Sequence, residues 1–221
     1  MTSIALIGGT GALGAAIARR LAKAGESVIL GSRDPAKAAA AAAALQAETG
    51  QPVQGLGNAE AAAAASIIIV TVPFASQETT LAEIAAGCRG KIVVDTTVPL
   101  MPPKVMRVQL PIEGSAAVRA QKLLGEGVTV VSAFHNVAAH KLATDAPVEC
   151  DVLVFGDERA ARDQVLRLVA QCGLRGLHGG ALVNSAAAEA LTSVLIFLNK
   201  TYAVDGAGVR ITGQLTPPAA G

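Results

Sequence analysis

The stretch SIALIGGTGALG, residues 3–14, decides how this chain is read. A short β-branched run ends in glycine, and Gly9-Thr10-Gly11-Ala12-Leu13-Gly14 then fits the spacing G-x-G-x-x-G. The match has weight because a strand precedes it and a helix opens inside it. Gly9 would make the tight turn, Gly11 would leave room for a pyrophosphate against the backbone, and Gly14 would let the helix pack closely on the strand. The helix N-terminus would offer free N–H groups and the positive end of its dipole to an anion. The stretch therefore predicts a dinucleotide site; the plain alternative is a glycine-rich turn in an ordinary βαβ unit.

Working outward, ALGAAIARRLAKAG (12–25) places Leu13, Ile17 and Leu21 four apart and stops at Gly25, which reads as a capped helix. SVIL (27–30) is a second strand, and the corner LGSRDPAK (30–37) follows it. About 20 residues beyond the glycine loop is where a ribose reader belongs. Ser32 and Arg33 suit a 2′-phosphate, since guanidinium gives bidentate bonds to phosphate, and Lys37 would add charge. Asp34 could instead accept from both ribose hydroxyls. Asp followed by Pro35, however, is an N-cap with proline at the first helical position, so NADP is the preferred cofactor over NAD.

The first half alternates strand and helix. Helices are expected at 35–48, at 58–65 with Asn58 as cap, and over SQETTLAEIAAG; strands are expected at 66–73 and 90–97. SIIIVTVP is apolar on both faces, as a parallel strand covered on both sides would be. The segment 98–114 holds four prolines and no period, so it reads as a loop over a site. A helix (115–127), a strand (128–135), then strand, helix and strand from Cys150 follow. The long apolar helix 184–202 comes last, and the tail TPPAAG is expected to be disordered. The pattern predicts an α/β fold: a Rossmann-type doubly wound, mainly parallel sheet with a small C-terminal helical part. Ligands then sit outside the carboxyl ends of the strands.

Composition narrows the classes. Net charge is +1, from 18 Lys and Arg against 17 Asp and Glu, so nothing draws the chain to nucleic acid or an anionic membrane. The longest apolar runs are far shorter than the ~20 residues of a membrane span. Cys88, Cys150 and Cys172 are odd in number and lack C-x-x-C spacing, which reads as buried reduced thiols and a cytoplasmic protein. With four Phe, one Tyr and no Trp, the core must be built from Ala, Val, Leu and Ile.

Other candidates stand at expected carboxyl edges. His135 ends TVVSAFH, and Asn136, His140 and Lys141 follow. His135 and His140 are five apart and share a helix face poorly, so no metal site is expected. Asp95, Thr96 and Thr97 end one strand and Val98 follows; they either contact a nicotinamide ribose or simply end a buried strand. In TVPF (71–74), Val72, Pro73 and Phe74 would flank a nicotinamide. No G-x-S-x-G or Ser-His-Asp arrangement supports a hydrolase.

IALIGGTGALG, GSRDPAKA, TVPF, VVSAFHNVAAHKL, VLVFGD and LVNSAAAEALTSVLIFLN occur in an order and spacing that resemble the NADPH-dependent reductases of the deazaflavin coenzyme F-420, from residue 3 to about 213. The resemblance implies that Thr10, Gly11, Ala12 and Leu13 cradle the pyrophosphate and that Ser32, Arg33 and Lys37 hold the 2′-phosphate. His135 and Val137 would line the stacked nicotinamide and deazaflavin rings, with Ala139 beside them. Hydride would pass reversibly and directly between the rings, which needs positioning more than an acid–base pair. Residues 1–181 would form the NADP-binding domain, and 182–221 a helix and tail closing the second-coenzyme cleft, with tail groups held around Asn184 to Thr192, including Glu189. The sequence departs from the family at Ala186, where a cation is expected. An NADPH-dependent reductase of a flavin, quinone, carbonyl or imine, and a non-catalytic NADP-sensing module, are the alternatives. Leu191, Val194, Leu195 and Leu198 on one side of the last helix predict a homodimer.

Overall fold

The computed structural model describes residues 2–216. The part of the tail expected to be disordered that spans 217–221 lies outside them. The elements run β1 (Ser3–Ile7), α1 (Ala12–Lys23), β2 (Ser27–Ser32), α2 (Pro35–Thr49), β3 (Val53–Gly57), α3 (Asn58–Ala64), β4 (Ile67–Val70), α4 (Phe74–Cys88) and β5 (Ile92–Asp95). Then come α5 (Ala116–Leu124), β6 (Thr129–Ser132), α6 (Ala139–Leu142), β7 (Asp151–Phe155), α7 (Arg159–Gln171), β8 (Arg175–Gly180), a short 3-10 turn (Leu182–Asn184) and α8 (Ser185–Tyr202).

One eight-stranded sheet has the order β3-β2-β1-β4-β5-β6-β7-β8. All neighbours pair in parallel except β6 and β7. The direction of winding reverses between β1 and β4, the switch point where such sheets bind ligands. In the registers, Ile7 lies opposite Gly31 and Val70, Val70 opposite Asp95, and Asp95 opposite Ser132. That single row aligns the glycine loop, the 31–37 corner, TVPF, Asp95–Val98 and the segment to His135 along one edge.

Successive strand residues point to opposite faces, so two apolar layers form. Ile4 and Leu6 join Ile17, Leu21 and Val165 on one face. Ala5 and Ile7 join Ile68, Leu81 and Ile84 on the other. The alanine-rich α2 owes its composition to closeness: a Cβ on Gly55 of β3 would lie 2.3 Å from the backbone of Ala38. Helix and strand meet there backbone to backbone, which larger side chains would prevent.

Four expectations are corrected. β3 was not anticipated, because Val53–Gly57 contains two glycines and no alternation. Asn58 is the first residue of α3, and Gly57 occupies the cap, its N–H bonded to Glu60. α4 begins at Phe74, so TVPF straddles a loop and a helix start instead of ending a strand. The apolar segment Leu182–Tyr202 is long and apolar enough to cross a membrane by length and composition, which the count of uninterrupted apolar runs had missed. Here it is tied to the domain by buried polar bonds described below.

Candidate functional site

The turn into α1 uses glycine at four places. Gly8, one residue before the motif, takes the left-handed backbone at φ +77°, a task the sequence had assigned to Gly9. A Cβ on Gly9 would meet the Leu6 carbonyl oxygen at 2.7 Å, and one on Gly14 would meet Thr71 Oγ1 at 2.5 Å. At Gly11 a Cβ would touch only the Gly8 oxygen, at 3.2 Å, and would otherwise fill the exposed space in front of the loop. Gly11 is the N-cap of α1 and no side chain caps that helix, so its first N–H groups face the cleft mouth unclaimed by side chains.

The corner after β2 is built as its residue types dictate. Ser32 Oγ accepts from the Asp34 N–H at 3.1 Å. Asp34 caps α2, its Oδ1 accepting from the Ala36 and Lys37 N–H groups at 3.1 and 3.3 Å. Its carboxylate is thus engaged, while Arg33 and Lys37 are exposed and, among the described residues, enter no ion pair. A cavity of about 190 Å³ joins this corner to the loop; Thr10, Gly11, Ser32, Arg33, Val72 and Pro73 are among its walls. Asn58, Ser76 and Thr80 line it too, and sequence reasoning missed all three. Ser76 and Thr80 are one turn apart on α4, a spacing already present in the helix expected over SQETTLAEIAAG; the cavity they face is set by the fold.

Thr10 also borders a second cavity, and the other predicted residues lie outside the first. Gly9, Thr10, Ala12 and Ala139 share a second cavity of about 490 Å³ on the flank of α1. Phe74 turns away from the nucleotide cleft: it lines a third cavity of about 560 Å³ with Leu100, Met101 and Arg119, whose guanidinium sits 5.1 Å from its ring centre. Gly14 and Val137 are buried, and Leu13 and Val98 are half-buried.

His135 is 7 % exposed, its Nε2 is buried without a partner, and burial lowers its pKa to about 4. It is a neutral imidazole at physiological pH. Phe134 before it adopts φ +65°, an uncommon conformation for a bulky residue, and this swings the chain at the end of β6. The segment is held from α8: Asn136 donates to the Ala188 carbonyl and Thr192 Oγ1, and Thr192 Oγ1 donates to the His135 carbonyl at 3.1 Å.

A buried acidic network lies behind. Asp95 accepts from Gln77 Nε2 at 2.6 Å and from the Thr97 N–H at 2.9 Å, and burial raises it to about 6. Asp95 therefore ends a buried strand and is shut off from any ligand. Glu189, 1 % exposed, accepts from the Ala116 and Ala117 N–H groups at 2.6 and 3.1 Å, and burial raises it to about 7 with Asp95 adding repulsion. It caps α5 and does not face an open cleft, contrary to the expectation that it would hold a coenzyme tail. The signal was available: Glu189 is the one charged residue between Ser185 and Asn199.

Among the described residues no group of His, Cys, Asp and Glu could hold a metal. The three cysteines are buried and free, and burial pushes Cys88 up to about 11 and Cys172 to about 12, so neither is an activated thiol.

Comparison with known proteins adds the chemistry. Residues 3–99 match the family described as "NADP oxidoreductase coenzyme F420-dependent". The "F420-dependent NADP reductase" of Methanothermobacter thermautotrophicus is 41% identical over 218 residues, 95% of this chain and 94% of its own. The chain belongs to that family. The relative of the same name from Methanocaldococcus jannaschii is 38% identical, covering 95% of this chain and 97% of its own. A crystal structure from Arthrobacter sp. FB24 is similar at TM-score 0.80 and 25% identity, over 96% of this chain and 100% of that one. An imine reductase from Bacillus cereus, at 17% identity and TM-score 0.64 over 92% of this chain and 63% of its own, shares the fold.

Proposed function

We infer that the protein is an oxidoreductase moving hydride reversibly between NADP(H) and coenzyme F-420. The observation that carries the reading is the cavity at the β1–β4 switch point, which joins the glycine loop, Ser32 and Arg33, and Val72 and Pro73. These residues fit a 2′-phosphorylated dinucleotide: the space before Gly11 admits a pyrophosphate, and among the described residues the exposed Arg33 and Lys37 enter no ion pair. Family membership supplies the acceptor.

When bound, the nicotinamide supplies hydride from C4 and the deazaflavin accepts it at C5, with one proton taken up. The residues do the positioning. Thr10, Gly11, Ala12 and Leu13 bind the pyrophosphate against the start of α1; Ser32, Arg33 and Lys37 bind the 2′-phosphate. Val72, Pro73 and Val98 border the nicotinamide, while His135 and Val137, with Ala139 nearby, present an uncharged wall to the paired rings. A neutral His135 keeps positive charge away from the site of hydride departure. α8 fixes that wall through Thr192 and Asn136. The nucleotide domain ends at residue 181, and the helical part that begins at residue 182 closes the acceptor side. Adding NADPH and oxidised F-420 to the protein should bleach the deazaflavin absorbance; no bleaching at micromolar protein rejects the reading.

The enzyme is proposed to work in the cytoplasm as a homodimer. Leu195 is buried within its own chain, so the outward stripe is Val194 and Phe197, 41 and 50 % exposed. Phe197→Asp should turn a dimeric mass in light scattering into a monomeric one, and a monomeric wild type ends this part of the proposal.

A further inference from the structure

An acceptor with a phosphate- and carboxylate-bearing tail needs cations, and α8 has none to offer. From Ser185 to Asn199 its one ionisable side chain is Glu189, an acid spent on α5; the first cation is Lys200, near the far end. The position after Asn184-Ser185 is Ala186. Any anionic part of the acceptor must be held from another element on the same side.

The segment 98–114 meets the requirement. It starts at Val98, three residues beyond the end of β5 at Asp95, and leads into Ser115, which caps α5 with its Oγ accepting from the Val118 N–H at 3.0 Å. Midway it is fastened to α8: the buried Ser193 Oγ donates to the Arg107 carbonyl at 3.2 Å. Two internal turns, Lys104 N–H to the Met101 oxygen and Arg107 N–H to the Lys104 oxygen, both 3.0 Å, brace it. So anchored, it presents Lys104 and Arg107 to solvent, and among the described residues neither enters an ion pair. The apolar Met101 stands beside them, 49 % exposed, and also walls the 560 Å³ cavity under Phe74 and Arg119. In that cavity Arg119 is paired with Glu78, and Lys104 and Arg107 stand outside it, on the loop just beyond Met101.

We propose that the 98–114 segment, through Lys104 and Arg107, is the subsite for the anionic tail of the acceptor coenzyme. The inference rests on the acceptor assignment above and deepens it. The ring is positioned by the His135 edge, and the tail is selected by a braced basic loop fastened to α8 at Ser193. Exposed cations act on a mobile anion through a screened field, so the contact should weaken as salt rises.

The test separates tail from ring. Binding of F-420, and of a deazaflavin lacking the phosphate and carboxylates, is followed by coenzyme fluorescence in titrations of the wild type, Lys104→Gln/Arg107→Gln and Lys104→Glu/Arg107→Glu. The expected result is graded: F-420 binds about tenfold more weakly to the neutral double variant, about 1.4 kcal/mol for the two residues together, and weaker still to the reversed one. The tail-less ring and NADPH should bind all three proteins alike, which also shows that the variants are folded. The salt dependence of F-420 binding should flatten in the neutral variant. Equal F-420 affinity in all three proteins, or equal losses for the ring without its tail, overturns the inference and leaves the acceptor assignment standing. If the wild type binds neither deazaflavin, both fall.

Discussion

The corner at Gly31–Lys37 and the turn at Ala133–Val137 sit on the same sheet edge but are secured in opposite ways. The first is secured locally: Ser32, Asp34 and Pro35 use bonds within three residues, and the working cations stay in solvent. The second is buried and secured from 50 or more residues away, by Thr192 and the carbonyl of Ala188. One region is a stiff bracket with free charges; the other is a wall whose shape depends on α8. An anion exposed at the edge of a Rossmann sheet needs charge in reach, whereas two stacked rings need an apolar surface at a fixed distance.

The sharpest way to break the comparison is at Arg33. If the corner reads a 2′-phosphate through a solvent-facing guanidinium, Arg33→Ala should raise the Kd for NADPH about 30-fold or more, as expected for a lost charge-assisted pair, and leave NADH nearly unchanged. Fluorescence titration of both nucleotides measures this. Equal losses would mean that Arg33 serves the nucleotide as a whole and that the corner carries no preference for NADP.

The difference between the regions also explains what the sequence could reveal. The corner was legible because local chemistry decides it: Asp-Pro dictates a cap, and an Arg beside it is left to do something else. The parallel strands were legible at the glycine loop and at SIIIV, where burial on both faces forbids polar residues. β3 escaped because its glycines answer to the backbone of Ala38, a contact distant in sequence. Thr192 was expected to help hold a coenzyme tail, but its bond to the His135 carbonyl was not legible, because carbonyls carry no sequence signal. The positive φ at Phe134 is equally silent, since nothing in its side chain asks for it.

A second probe acts on the α8 side, where the buried acids stand. Glu189 titrates near 4.5 when unfolded and near 7 when folded. Between those values the folded state holds the extra proton, so stability falls as pH rises through that window. Asp95, raised from 3.8 to about 6, acts in the same direction. His135, lowered to about 4, acts oppositely, because the unfolded chain takes the proton first. Glu189→Gln removes only the first contribution. The Tm of the wild type relative to this variant should therefore decline from pH 5 to pH 8, and a difference constant with pH would show that Glu189 is charged throughout. The same variant should leave the NADPH-to-NADH preference untouched, because that preference belongs to the other region.

The smallest effect is the most discriminating for the corner itself. Asp34 is either a ribose reader or a cap, and the two roles predict different losses. Its Oδ1 already accepts two N–H groups from the first turn of α2. As a cap, Asp34→Ala should cost about 1 kcal/mol of stability, a fall of a few degrees in Tm for a domain of this size. Asp34→Asn, which can cap equally well, should recover it. Neither change should weaken NADH relative to NADPH, and removing a negative charge beside Arg33 should if anything favour the phosphorylated nucleotide slightly. If Asp34→Ala instead abolished NADH binding with Tm unchanged, the carboxylate would be facing a ribose in solution. The local bracket around Arg33 would then need a different physical basis from the one seen in the fold.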